Sequence, residues 1–171
     1  MVLKGLRDED FTQYKKPSMF LIFPHCSFKC CKEQHLPIET CQNCELAQVP
    51  AINIHVQDLI DRYEANPITK AVVMGGMEPF DSWDDVQCFI MNFRYKNHDP
   101  IIIYTGYRED ELREKLRILS LYTEDGPIIV KFGRYLPGYK PHYSDELGVY
   151  LASPNQYARR ITYNEDYIKP R

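Results

Sequence analysis

The stretch Ala71-Val72-Val73-Met74-Gly75-Gly76 is an apolar run that stops at two glycines. A short, continuous apolar run ended by turn residues is typical of a strand that is covered on both faces. A helix is expected next, over Trp83 to Tyr95, because Asp84 and Asp85 would lie in its first turn, where the helix dipole favours acidic side chains. This part of the chain therefore predicts a strand, a glycine turn and a helix in succession.

The same succession occurs on both sides of this stretch. Before it, Met19 to Phe23 is an apolar run, and apolar residues recur at helical spacing from Ile54 to Tyr63. After it, Pro100 to Tyr104 is a third apolar run, and a charged amphipathic helix is expected from Arg108 to Leu119. Repeated strand, turn and helix units indicate an α/β fold whose parallel strands are joined by right-handed crossovers.

The chain after residue 126 is expected to complete the sheet. Ile128 to Phe132 continues it, a loop covers Arg134 to Asp145, and Gly148 to Leu151 forms a last short strand. In such sheets the ligand crevice lies outside the carboxyl ends of the strands. Polar or glycine-containing motifs follow the predicted strand ends at Phe23, Met74, Tyr104 and Leu151, so we expect them to meet in one crevice.

Length and charge restrict the class of protein. The 171 residues predict a single domain over 1–171, with no linker or repeat that separates a second one. The formal net charge of −3 gives no general attraction to phosphate backbones, so no nucleic acid partner is expected. No stretch resembles a membrane span or a signal peptide, and we expect a cytoplasmic protein without a membrane partner.

Six cysteines are present, and five of them lie between residues 26 and 44. In a cytoplasmic chain such a group indicates metal binding or catalysis, because that compartment keeps thiols reduced. Cys88 stands apart in an apolar segment and is expected to be buried as a small hydrophobic residue.

The cysteine spacing favours an iron–sulfur cluster over zinc. Three thiolates close in sequence can hold a cluster and leave one iron open to another ligand. Structural zinc commonly uses two Cys-x-x-Cys pairs, and here Cys41 and Cys44 alone have that spacing. A zinc site formed by Cys26, Cys30, Cys41 and Cys44 stays open as an alternative.

Several motifs together resemble the radical S-adenosylmethionine enzymes. They are Cys26-Ser-Phe-Lys-Cys30, Gly75-Gly76-Met-Glu78-Pro79, Tyr104-Thr-Gly-Tyr107 and Ala152-Ser-Pro-Asn-Gln156. In content and order they resemble most narrowly the activating proteins of anaerobic ribonucleoside-triphosphate reductases. The resemblance covers about Met19 to Gln156 and implies a single-domain partial (βα) barrel with a mostly parallel sheet and a cluster loop after the first strand.

The resemblance implies a 4Fe–4S cluster held by Cys26, Cys30 and a third cysteine. The family places the third cysteine three residues after the second, where this chain has Glu33. We therefore expect an insertion, with Cys41 as the third ligand and Cys44 as the alternative. Cys31 is not expected to bind, because adjacent residues rarely direct both side chains at one cluster.

The resemblance also implies a site for S-adenosylmethionine, in which no catalytic side chain is assigned. Gly75 and Gly76 would bring backbone carbonyls close to the ammonium of the cofactor, and Glu78 would bind that ammonium. Thr105 would contact its ribose or carboxylate. Ser153 and Asn155 would bind it or shape the last loop. Ordinary turn roles remain the alternative for each of these residues.

The function implied is that of an activating enzyme. It would generate a 5′-deoxyadenosyl radical and abstract a hydrogen from a glycine of a partner glycyl-radical protein, an anaerobic ribonucleotide reductase. An external one-electron donor such as flavodoxin or ferredoxin would reduce the cluster. Two alternatives stay open: a radical enzyme that acts on another protein or a small molecule, and a zinc-stabilised binding module without catalysis.

Overall fold

The computed structural model describes residues 1–163, which form ten strands and four α-helices. The strands are β1 (Val2–Leu3), β2 (Gly5–Asp10), β3 (Ser18–Phe23), β4 (Ile52–Asn53), β5 (Val72–Gly76), β6 (Ile101–Tyr104), β7 (Ile128–Phe132), β8 (His142–Ser144), β9 (Val149–Leu151) and β10 (Tyr157–Ile161). The helices are α1 (Lys29–Glu33), α2 (Val56–Ala65), α3 (Trp83–Arg94) and α4 (Arg113–Ser120). Short 3-10 turns cover Ile38–Thr40, Cys44–Gln48, Pro79–Ser82 and Glu109–Glu111.

A six-stranded sheet lies at the centre, in the order β10-β7-β6-β5-β3-β2. Its four middle strands are parallel, while β2 and β10 pair antiparallel at the two edges. The pairs β1–β4 and β8–β9 are separate two-stranded antiparallel sheets. The α/β class and the mostly parallel sheet are therefore confirmed, and the sheet formed by residues 1–163 does not close into a barrel.

Alternating residues of the parallel strands separate the core into two layers. On one face the strands pack against apolar side chains of α2, α3 and α4, such as Leu59, Phe89 and Leu116. On the other face they pack against Tyr14, Leu147 and Leu151. Because side chains point alternately to the two faces of a strand, polar residues at the strand ends can face a common edge while the strand interiors stay apolar.

The predicted elements around the parallel sheet are confirmed with small shifts of their ends. The helix predicted over 83–95 is α3, and the one predicted over 108–119 becomes a 3-10 turn followed by α4. The last strand predicted from the sequence, β9, pairs with β8 and lies outside the central sheet. The loop predicted over Arg134 to Asp145 contains β8, and β10 was not predicted. The expectation for Cys88 is wrong: its side chain is exposed, because the buried face of α3 is formed by the residues around it.

No helix within residues 1–163 has the length and apolar character needed to span a bilayer.

Candidate functional site

The cysteine-rich segment follows β3 and lies beside the ends of the parallel strands. Cys30 and Cys31 lie on α1, which begins after Phe28 in a left-handed backbone conformation with φ 53°. That turn allows the backbone N–H of Phe28 to donate to the Cys26 sulfur at 3.3 Å. Cys41 ends the first 3-10 turn of the segment, and Cys44 begins the second.

Burial raises the pKa of the Cys26, Cys30 and Cys31 thiols. Burial raises the pKa of Cys26 to about 12, and the nearby charges of Glu78, Asp81 and Cys30 raise it further, against the lowering effect of the Phe28 N–H. Burial also raises the pKa of Cys31, with added contributions from Cys41, Cys30 and Cys44. Cys26 and Cys30 therefore both lie near Glu78, and Cys31 lies near Cys30, Cys41 and Cys44.

Glu78 is buried where β5 and β6 end. Its Oε1 accepts hydrogen bonds from the Phe80 N–H at 3.2 Å and the Thr105 hydroxyl at 2.8 Å, and its Oε2 accepts from the Gly106 N–H at 2.8 Å. Burial raises the pKa of Glu78 to about 7, although these three hydrogen bonds lower it. The carboxyl group thus connects the Pro79–Ser82 turn after β5 to the Thr-Gly turn after β6.

Gly106 brings this carboxyl group and the cysteine segment together. A Cβ added at Gly106 would lie 2.6 Å from the Cys30 sulfur and 3.7 Å from Glu78 Oε2. The Cys30 sulfur therefore packs directly on the Gly106 backbone, and a larger residue there would displace it.

Two cations lie near Cys30. Lys131, on β7, is 7% exposed, and burial lowers its pKa to about 8, while the charges of Cys30 and Glu78 raise it. Arg134 forms ion pairs with Glu33 at 2.9 Å and Glu111 at 2.8 Å and also donates to the Gly106 carbonyl. Both side chains supply positive charge beside a thiol that would be anionic when it binds metal.

The two glycines that end β5 pack closely on β3, and Gly76 has no room for a side chain. Gly76 has φ +83°, and a Cβ there would lie 2.5 Å from Ile22 Cγ2 and 3.2 Å from the Ile22 Cα. At Gly75 a Cβ would lie 3.0 Å from the Phe20 ring. The Gly76 carbonyl accepts a hydrogen bond from the Asn43 side chain at 2.6 Å. This bond joins the cysteine-rich segment to the end of β5.

The remaining predicted cofactor residues lie at the same edge of the sheet. Thr105 is buried, and its hydroxyl donates to Glu78 and accepts from the Tyr107 N–H at 2.9 Å. The Ser153 hydroxyl and the Asn155 amide bind the Arg134 carbonyl at 3.4 and 2.8 Å. Ser153 and Asn155 therefore shape the loop that carries Arg134, which is one of the two roles that the sequence allowed, and a direct contact with cofactor stays a prediction.

The sequence did not indicate a role in the site for Lys131, Arg134 or Asp81. Asp81 accepts from the Ser27 N–H and from the Tyr107 hydroxyl, each at 2.6 Å, and thereby connects the cysteine segment to the turn after β6. A charged residue inside the apolar run of β7 was a usable signal for Lys131, because a lysine is rarely buried in a strand without a specific reason.

The donor set fits an iron–sulfur cluster in its chemistry. Thiolates are the ligands that such clusters use, and two of the three predicted thiols meet beside Glu78 with Lys131 close by. Cys41, the third, lies beside Cys31 and Cys44. Within residues 1–163 no three side chains of His, Cys, Asp or Glu are arranged to hold a metal ion.

No family model matches the chain, and no curated protein or solved structure is significantly similar to it.

Proposed function

We propose that this protein is a radical S-adenosylmethionine activating enzyme that forms a glycyl radical on a partner protein, an anaerobic ribonucleotide reductase. The observation that supports this most is the meeting of separate motifs at one edge of the parallel sheet. Glu78, after β5, binds the Thr105-Gly106 turn after β6, and Gly106 contacts Cys30 from the segment after β3. The carboxyl edge of a parallel sheet is where α/β proteins bind their ligands.

In this proposal the four parallel strands with their helices on one face are part of a (βα) barrel, with the cluster loop after its first parallel strand, β3. Cys26, Cys30 and Cys41 hold a 4Fe–4S cluster. Cys26 and Cys30 already lie close together, and Cys41 would supply the third thiolate. A bound, reduced cluster would supply one electron to the sulfonium of S-adenosylmethionine, whose S–C5′ bond breaks to give methionine and a 5′-deoxyadenosyl radical. Transfer of a hydrogen atom from a glycine Cα to this radical gives 5′-deoxyadenosine and leaves the glycyl radical on the partner.

The residues around the cysteines have separate tasks in this proposal. Glu78 presents the unused lone pair of its Oε2 to the ammonium of S-adenosylmethionine, while its other bonds fix the two turns in place. Gly75 and Gly76 let the end of β5 pack closely against β3. Thr105 orients Glu78, and Ser153 and Asn155 hold the loop that carries Arg134. Lys131 and Arg134 balance the negative charge of the thiolates.

The reaction sets further requirements that belong to the same proposal. Reduction needs an external one-electron donor such as flavodoxin or ferredoxin, and the cluster must be kept from oxygen. A cytoplasmic location in an anaerobic cell meets both conditions.

The test is anaerobic reconstitution with iron and sulfide, followed by dithionite reduction in the presence of S-adenosylmethionine. The proposal expects 5′-deoxyadenosine from the wild-type protein and from Cys88→Ser, whose cysteine is exposed and outside the site. Cys26→Ser and Cys30→Ser should form none. A fully reconstituted wild-type sample that gives no 5′-deoxyadenosine would contradict the proposal.

A second experiment identifies the substrate of the radical. The reduced protein is incubated with purified anaerobic ribonucleotide reductase, and paramagnetic resonance is used to detect a glycyl radical. Formation of 5′-deoxyadenosine without a glycyl radical would indicate a radical enzyme with another substrate.

A zinc-stabilised binding module is the second candidate. The sequence Cys41-x-x-Cys44 favours it, because this is the spacing of one zinc-binding pair. Metal analysis of protein purified without oxygen separates the two candidates: one zinc and no iron would favour the binding module.

A further inference from the structure

Lys131 is a buried cation with little compensation from hydrogen bonds. It lies on the face of β7 opposite the helices, beside Tyr104 of β6 in the pairing register. Within residues 1–163 its ammonium makes one hydrogen bond, a long one of 3.4 Å to the Gly133 carbonyl, and no carboxylate lies within ion-pair distance. An ammonium group carries three donors, so most of its hydrogen-bonding capacity is unused.

Burying such a group is unfavourable for folding. An ammonium removed from water without a close partner loses solvation energy that a single weak hydrogen bond does not restore. Ile129 and Ile102 lie close by on the same face of the sheet, and both are apolar and fully buried. A methionine of similar length would suit this layer better, so packing gives no reason for a lysine here.

The surroundings of Lys131 supply a reason of another kind. The Lys131 carbonyl accepts from the Thr105 N–H at 2.9 Å, and Thr105 binds Glu78. The next residue, Gly106, contacts the Cys30 sulfur. Lys131 is thus joined through one turn to the place where the predicted cluster ligand and the buried carboxyl group meet.

We propose that Lys131 is a positioning and tuning residue whose fixed positive charge raises the reduction potential of the cluster held at Cys30. This inference rests on the proposed function. Reduction adds one negative charge to the cluster, and a nearby buried cation stabilises the reduced form more than the oxidised form. Net charge and burial around a cluster are among the factors that set its potential.

The experiment compares neutral and charged replacements of Lys131 in reconstituted protein. Lys131→Met removes the charge at nearly constant length, Lys131→Gln is a second neutral variant, and Lys131→Arg keeps the charge. Lys70→Met is the matched control, because it removes an exposed lysine that lies just before β5, at the end of the sheet where the parallel strands begin. Iron content, the melting temperature of the metal-free protein and the midpoint potential are measured for each at pH 7.

The expected result separates charge from structure. Lys131→Met should be at least tenfold harder to reduce, a shift of about 59 mV or more to negative potential for a one-electron couple. Lys131→Arg and Lys70→Met should keep the wild-type potential. The metal-free Lys131→Met protein should melt at the wild-type temperature or above, because an unfavourable buried charge is gone.

Each other outcome also decides the question. A Lys131→Met protein with full iron and an unchanged potential would overturn the inference and leave the proposed function intact. Neutral variants that fold but lose iron, while Lys131→Arg keeps it, would support a need for the charge. If both neutral variants fail to fold, Lys131 is structural and the inference is wrong. A wild-type protein that holds no cluster would refute the proposed function and this inference together.

Discussion

Replacing Gly76 by alanine tests how closely the end of β5 packs on β3. Gly76 has φ +83°, which costs an alanine about 1–2 kcal/mol. Its new Cβ would also lie 2.5 Å from Ile22 Cγ2 and 3.2 Å from the Ile22 Cα, and because part of this overlap is with backbone, rotation of the side chain cannot remove it. Overpacking of this kind costs about 1–3 kcal/mol, so we expect Gly76→Ala to lower the free energy of unfolding by about 2–5 kcal/mol.

Gly138 provides a matched control for the backbone part of this loss. Its φ is +81°, almost the same as that of Gly76, but a Cβ added there would have no atom within 4 Å. Gly138→Ala should therefore lose only the backbone contribution. The two variants are compared with wild type by urea unfolding, and the difference between them should be about 1–3 kcal/mol. Equal losses in both variants would refute the close approach of Gly76 to Ile22.

Three further predictions concern the site and the core. Because burial raises the pKa of Glu78 from 4.5 to about 7, its contribution to stability is complete below about pH 4.5 and about 3 kcal/mol is lost as the pH rises through 7. Glu78→Gln should remove that slope in denaturant unfolding at several pH values, and an unchanged slope would contradict the assignment. Gly106→Ala should displace the Cys30 sulfur and lower the iron bound on reconstitution, while Gly5→Ala, whose nearest contact is 3.8 Å away, should bind iron normally. Arg94→Met should cost about 2–4 kcal/mol in urea unfolding, since the buried guanidinium donates to three backbone carbonyls; a loss below 1 kcal/mol would show that these bonds are unimportant.

The parallel part of the fold could be predicted from the sequence because its strands are mostly apolar. The runs that became β3, β5, β6 and β7 are covered on both faces, so each stands out against its polar flanks. The edge strands gave no such signal. β10 has the sequence Tyr-Ala-Arg-Arg-Ile, whose two arginines form ion pairs with Glu109 and Glu146. As an edge strand it is held by pairing with β7 and not by an apolar pattern.

The candidate site was predictable in its location but not in its internal bonds. Ser153 and Asn155 were expected to follow a strand of the central sheet. They lie at the expected edge for another reason: they precede β10, which runs antiparallel to β7, so its first residue pairs with the last residue of β7. The hydrogen bond from Asn43 to the Gly76 carbonyl joins residues that are 33 positions apart in the sequence, so no local sequence pattern predicts it.

The exposure of Cys88 has a similar explanation. Its neighbours Phe89 and Ile90 are buried, and the apolar character of the segment suggested that the cysteine was buried too. A helix turns by about 100° per residue, so a residue next to two buried positions can still face solvent.

The proposed cluster ligands are tested most directly by the iron content of reconstituted variants in which one cysteine at a time is replaced by serine. A 4Fe–4S cluster held by three thiols should give about four iron atoms per chain in wild type and in Cys31→Ser, Cys44→Ser and Cys88→Ser. Cys26→Ser, Cys30→Ser and Cys41→Ser should each lose the cluster. Full iron in the Cys41→Ser protein, or one tetrahedral zinc in the wild-type protein in place of iron, would contradict the account.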